Sequence, residues 1–204
     1  MSTRIPGKRS AMTVLPRQGY RRMPWKNGGG ITWEILREPA DAEHYDWRLS
    51  MAEISTPGPF SDFSGYQRHL LLFEGPGLVL KAPGEADRTL ARRGDLASFD
   101  GALPMQCDLP GGPCTDLNLI LRADLPVRVN VVSLASTWRH VAGQGRTVLV
   151  ALEASRLEIL EGEPVELARG DTALVEPGVR VSAAANRSPE AALFVAVLGS
   201  REGR

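Results

Sequence analysis

Residues 89–103 read TLARRGDLASFDGAL, and residues 166–179 read ELARGDTALVEPGV. Each runs from an apolar residue through Ala-Arg into Arg-Gly-Asp. An alternating apolar segment follows, with an acidic residue just before or near a glycine. The two Gly-Asp pairs, Gly94-Asp95 and Gly170-Asp171, lie 76 residues apart, a longer period than the usual solenoid repeats. Each is preceded by a similar apolar hairpin, HLLLFEGPGLVLKA (69–82) in the first half and TVLVALEASRLEIL (147–160) in the second. The natural reading is two copies of one small β module.

The rest of the chain agrees with a β architecture. Short runs such as MTVLP, ITWEIL, DWRLSMAEI, DLNLILR, VRVNVVS and AALFVAVL alternate or are apolar throughout, and Gly, Pro, Asp and Asn punctuate them. No long apolar stripe with a helical period occurs, and LASTWRHVAGQ (134–144) is the best candidate for a short helical or irregular piece. Many short strands with Gly/Pro turns predict a sandwich, jelly roll or barrel. Gly-Asp between strands resembles the second half of a cupin barrel, a double-sheet jelly roll. The predicted fold class is therefore all-β, a bicupin with an N-terminal module over 12–122 and a C-terminal one over 123–200.

Bulk properties narrow the function. The 204 residues carry 24 basic and 24 acidic side chains, so no overall field favours DNA, RNA or an anionic membrane. The opening MSTRIPGKRSAM has no apolar core of a signal peptide, and no stretch approaches a membrane span, so a cytoplasmic protein is expected. Cys107 and Cys114 flank DLPGGP; a bridge would close that turn, but an unexported chain keeps such thiols reduced. Walker, nucleophile-elbow and dinucleotide-binding spacings are all missing from the sequence.

Many cupins hold a transition metal through histidines and a glutamate. The corresponding stretch here, GYQRHLLLFEG (65–75), offers Gln67, His69 and Glu74, and the second module offers no histidine there. One His and one Glu fall short of a usual ligand set, so no metal is expected. His69 then reads as a hydrogen-bonding barrel residue, or, with Glu74, as the acid–base pair of an isomerase or hydrolase.

A second group of residues suits an anion. In MPWKNGGGITWE (23–34), Gly28, Gly29 and Gly30 either shape a hairpin or bring backbone N–H groups close to a ligand. Lys26 would supply charge and Asn27 an amide, beside Trp25. On the strands, Arg48 and Ser50 share one face of DWRLSMAEI, and Asp116 and Asn118 share one face of DLNLILR. These faces either point outward or line a bowl, and periodicity is compatible with both. Arg48 and Asp116 either form a structural ion pair or serve a small carboxylate.

MPWKNGGGITWEI, with WRLSMAEISTPGPFSDFSGYQRHLLLFEGPGL (47–78) and FDGALPMQCDLPGGPCTDLNLILR (99–122), resembles the HutD/Ves family. The likeness is close over about 12–122 and weaker beyond. It implies a bicupin without catalytic metal or cofactor. It also implies regulation of histidine utilisation by binding urocanate, formylglutamate or formate, or, on the Ves side, a role in stress. Carried onto this chain, the motifs fall on Trp25, Lys26, Asn27, Gly28–Gly30, Trp47, Arg48, Ser50, Asp116 and Asn118. On that basis Lys26 and Arg48 neutralise the carboxylate, Asn27, Ser50 and Asn118 orient it, Asp116 holds Arg48, and Trp25 forms a wall. Family members tend to carry a small hydroxyl residue where this chain has His69, a difference that bears on ligand preference. Unpaired β edges also make a homodimer an expectation.

Overall fold

The computed structural model describes residues 11–25, 28–40, 44–143, 145–160, 162–184 and 192–199. In chain order the first half places β1 (Met12–Leu15), β2 (Arg21–Pro24), β3 (Gly30–Glu38), β4 (Trp47–Ile54) and β5 (Gly58–Pro59). It continues with β6 (Tyr66–Glu74), β7 (Leu78–Lys81), β8 (Arg88–Leu90), β9 (Leu96–Asp100), β10 (Gln106–Asp108) and β11 (Cys114–Arg122). The second half adds β12 (Val127–Ser133), β13 (Trp138–Val141), β14 (Arg146–Ala151) and β15 (Ser155–Ile159). It ends with β16 (Val165–Leu167), β17 (Thr172–Val175), β18 (Arg180–Ala183) and β19 (Ala192–Leu198). Among the described residues the one helical piece is a 3-10 turn at Arg17–Gly19, and no helix is long and apolar enough to cross a membrane.

These strands make two double-sheet barrels. In the first, the sheet β2-β3-β4-β11-β6-β9 faces β5-β10-β7-β8. Ile54, Leu70, Leu72, Phe99 and Cys114 from one sheet meet Leu78, Leu80, Leu90 and Cys107 from the other. In the second, β1-β17-β14-β19-β12 faces β13-β18-β15-β16 around Leu149, Ala151, Leu157, Val181 and Leu193. The chain is an all-β bicupin. One strand departs from the 12–122 boundary: β1 pairs with β17, Met12 opposite Val175, in the sheet of the second half. The segment read as helical or irregular forms β13, which pairs with β18. Trp138 and His140 are half-buried while Arg139 and Val141 are exposed, a period of two that sheet pairing satisfies. Both cysteines are free thiols, buried on neighbouring elements of the first barrel, and burial pushes each up to about 12.

The repeat has a structural cause. Gly94 and Gly170 take φ of +91° and +90°, where a Cβ is strained. Asp95 accepts from the Ala91 and Arg92 amides, and Asp171 from those of Ala168 and Arg17. Each turn bonds to the same place on its barrel: Gly94 N and Asp95 O pair with Leu72, Gly170 N and Asp171 O with Ala151. Leu72 and Ala151 are thus equivalent, as are Glu74 and Glu153 two residues on.

That equivalence shows up in the contact between the barrels. Arg93, in the first turn, is ion-paired with Glu153 of the second half. Arg169, in the second turn, reaches Glu74 of the first at 2.5 Å and Glu153 at 3.7 Å. The arrangement is the reciprocal one of a two-fold interface, closed within one chain. Beneath it lies a shared core, Leu49, Met51, Phe73, Leu117 and Leu119 against Val148, Val150, Phe194 and Ala196. Each of the larger side chains contributes about 1.5–3 kcal/mol by burial, so the barrels are expected to unfold as one unit. Phe194→Ala should lower stability by about 3–5 kcal/mol and leave a single urea transition by both fluorescence and circular dichroism. Two separated transitions would contradict a common core.

Candidate functional site

The shared core decides where the polar residues go. On β4, Trp47, Leu49 and Met51 pack toward the second barrel, and on β11 Leu117, Leu119 and Leu121 do the same. Strand alternation then turns Arg48, Ser50 and Ala52, with Asp116, Asn118 and Ile120, into the first barrel. The register sets them side by side: Ser50 opposite Asn118 and Ala52 opposite Asp116. On the other flank of β11, β6 brings Leu70 opposite Asn118 and Arg68 opposite Ile120. Apart from Leu70, these side chains line a cavity of about 480 Å³, to which Met23, Pro24, Trp25, Phe60 and Phe63 also contribute. Of the two readings of the polar faces, the bowl is the one the fold adopts.

At its base sits a chain of three buried polar groups. Arg68 Nη2 donates to Asn118 Oδ1 at 2.8 Å, and Asn118 Nδ2 donates to Asp116 Oδ1 at 2.6 Å. Arg68 is 4% exposed and Asp116 0%. Three aromatic rings surround the Arg68 guanidinium, Phe60 at 4.6 Å and Phe63 and Phe99 each at 5.3 Å. Such rings favour a cation electrostatically while excluding water. The hydrogen bonding is incomplete: Arg68 Nε has no acceptor and Asp116 Oδ2 no donor. Burial pushes the Asp116 carboxyl up to about 7, against the pull of Arg68 and the hydrogen bonds from Asn118 and the Ala52 backbone. Burial likewise lowers the Arg68 guanidinium, with Asp116 opposing.

Arg48 is held differently from the expectation. Its Nε donates to Glu34 Oε2 at 2.8 Å, so the structural partner is Glu34 on β3, not Asp116. Glu34 also lies 3.9 Å from Arg37 and 4.0 Å from Arg21, and so is an acidic hub among arginines. Arg68, the cation that does lie with Asp116, was not among the predicted ligand residues. Its signal was present: it shares parity with Leu70 and Leu72 on a strand buried on both faces, and phenylalanines precede it at 60 and 63.

The glycine stretch is a hairpin turn at the cavity rim. Trp25 N donates to Gly30 O, and Gly28 N donates to Trp25 O. A Cβ on Gly30 would stand 2.3 Å from Glu53 O and 3.1 Å from the Trp25 ring, so the close approach demands glycine. Gly28 is exposed, with φ +71°, and does not line the cavity, a correction to its predicted role. Trp25 does line it, anchored by its indole N–H to Thr32 Oγ1 at 2.8 Å. Lys26 and Asn27 lie outside the described residues.

His69 is turned away from the cavity, as a residue next to Arg68 on a strand must be. Its Nδ1 pairs with Ser98 Oγ at 2.7 Å, its Nε2 is buried without a partner, and burial lowers its basicity. Glu74 is engaged by Arg169 at the barrel interface. The two therefore do not meet as an acid–base pair in the cavity. Among the described residues no three His, Cys, Asp or Glu side chains come together as a metal-ligand set.

The second barrel lacks the polar base. By strand register, Thr147 stands where Arg68 does, Leu193 where Asp116 does and Val195 where Asn118 does. Thr147 Oγ1 pairs with His140 Nε2 at 3.0 Å, and leucine, valine and alanine side chains fill the barrel around them.

Comparison with known proteins gives the family and the fold. The HutD family model matches residues 17–193. The chain is similar to a 21.2 kDa protein of the hutC 3′ region of Pseudomonas putida, 38% identical over 151 residues, 74% of this chain and 78% of that one. It is also similar to protein Ves of Citrobacter koseri, 35% identical over 108 residues, 51% of this chain and 56% of that one. Among solved structures, HutD of Pseudomonas fluorescens in a formate condition superimposes with a TM-score of 0.80 at 31% identity, over 94% of this chain and 100% of that one.

The raised Asp116 carboxyl fixes a pH dependence of stability. Between the ordinary carboxyl value of 3.8 and about 7 the folded state holds a proton that the unfolded chain has released. Stability should therefore fall as pH rises through that window and level off above it. Summed across that window, the Asp116 contribution is on the order of 4 kcal/mol. Urea unfolding of wild type and Asp116→Asn from about pH 4 to pH 8 should give curves whose difference carries this slope; parallel curves would refute it.

Proposed function

The chain belongs to the HutD family, and on that premise we propose that it binds a small carboxylate in its first barrel and acts as a regulatory protein of histidine catabolism. The observation that carries the reading is the Arg68 guanidinium, buried on the wall of the cavity with its hydrogen bonding incomplete. A carboxylate supplies what such a cation lacks, and hydrogen bonds to charged groups contribute about 1.5–3 kcal/mol each. Arg48 adds a second cation on the same wall, while Ser50 and Asn118 orient the anion. Trp25, Phe60 and Phe63 enclose an apolar body, the usual division of labour in a small-molecule site. Lys26 and Asn27 stay in the proposal through their place in the sequence beside Trp25.

The relative in the hutC 3′ region supports a link to histidine utilisation. Urocanate, formylglutamate and formate are the acids that fit this setting, and the action is binding rather than turnover. Calorimetric titration of the purified protein with each of the three at about pH 6, where Asp116 is largely protonated, should give heat with at least one. Arg68→Met should weaken that binding by about 30-fold or more, the equivalent of about 2 kcal/mol, and Arg48→Met by less, since Glu34 already engages Arg48. No heat with any of the three, or unchanged binding in Arg68→Met, would remove the proposal.

A further inference from the structure

The charged side chains that line the cavity, among the described residues, are Arg48, Arg68 and Asp116, and each arginine has a carboxylate partner. Arg48 on β4 is matched by Glu34 on β3. Arg68 on β6 is matched by Asp116 on β11, through Asn118. With Asp116 ionised, the pair has no net charge to offer an incoming anion. With Asp116 neutral, Arg68 lacks a counterion and the cavity has room for one. We propose that the first barrel takes up a monoanion together with one proton, Asp116 receiving the proton as the ligand carboxylate replaces it as the counterion of Arg68. This rests on the anion-binding reading of the same cavity and states how its occupancy is regulated.

Geometry supports the exchange. Asp116 Oδ1 is occupied by Asn118 Nδ2, while Oδ2 is buried with no donor. Protonated, Oδ2 no longer needs a donor, and the charge that competes with a ligand carboxylate for Arg68 is gone. The proton comes from bulk water and stays on Asp116; no bond beyond that O–H is made or broken. Two carboxylates sharing one arginine away from water cannot both stay ionised at low cost. The groups facing Asp116 from neighbouring elements do not offset this. The Cys107 thiol on β10 and the Cys114 thiol on β11 are both held neutral by burial. Among the described residues Arg68 is the cation that pulls on Asp116, and Tyr45, close to Arg48 and Arg68, is itself raised by burial. Burial pushes the Asp116 carboxyl up to about 7, which places the exchange near neutral pH.

The experiment is calorimetric titration with sodium formate and with urocanate, in buffers of low and high ionisation enthalpy, at about pH 6 and about pH 8. Formate is a monoanion at both pH values and gives the proton count; urocanate keeps its carboxylate ionised, but its imidazole titrates near the ordinary histidine value of about 6.5, so it is read at the higher pH alone. For wild type, affinity should fall about tenfold from the lower to the higher pH, and the buffer dependence should give uptake of about 0.9 proton at the higher pH and about 0.1 at the lower. Asp116→Asn should bind equally at both, with no proton uptake, and more tightly than wild type at the higher pH. Binding whose heat does not depend on the buffer would overturn the exchange and leave anion binding standing. Proton uptake retained in Asp116→Asn would overturn the assignment to Asp116. Absence of heat in every buffer at both pH values would instead defeat the anion-binding reading itself.

Discussion

Everything in this protein follows from a sheet that is covered on both faces. In a solvated antiparallel sheet, apolar residues face the core and polar ones face water. Here the apolar face of β4, β6 and β11 is spent against the second barrel, where Leu49, Leu71, Leu117 and Leu119 meet Val150, Phe194 and Ala196. The opposite face has nowhere to go but the interior of the first barrel. Polar residues that would be solvated on a lone sheet, Arg48, Ser50, Arg68, Asp116 and Asn118, are thereby enclosed. The site is a consequence of packing two barrels together, and neither barrel alone would bury these groups so deeply.

How much of this the sequence displays depends on the kind of interaction. The Gly-Asp turns are legible because their cause is local: a glycine at positive φ and an aspartate capping the amides just before it. The alternation of Leu117, Leu119 and Leu121 with Asp116 and Asn118 is equally visible. What periodicity leaves open is which face meets a partner, because that is settled by residues in the other half of the chain. The partner of Arg48 is hidden for the same reason. Glu34 reaches it across the β3–β4 pairing, in which the register shifts between Glu34 and Leu36. Arg68 sits beside His69, and the metal-binding habit of cupin barrels draws the eye to the histidine, although neighbouring positions on a strand face opposite ways.

The glycine run is structural in a way that still shapes the cavity. Its hydrogen bonds close a hairpin, and Gly30 is required because Glu53 O and the Trp25 ring leave no room for a Cβ. That tightness is also what presses Trp25 toward Thr32 and onto the cavity wall. The turn thus contributes to the site through the tryptophan it positions, and the described glycines need not touch a ligand to be indispensable.

The two barrels share their turns, their ion-pair clasp and their strand order, yet differ where chemistry would occur. Burying a guanidinium and a carboxylate costs free energy that their mutual attraction repays only when the remaining hydrogen bonds are satisfied. In the first barrel they are not, as Arg68 Nε and Asp116 Oδ2 show. The second barrel, with Thr147, Leu193 and Val195 at the same positions, carries no such burden and has a well-packed apolar interior. A chain with one strained polar barrel and one apolar barrel, fastened through a common core, can tolerate a site that would be destabilising in isolation. The division lets the second copy supply stability that the first gives up.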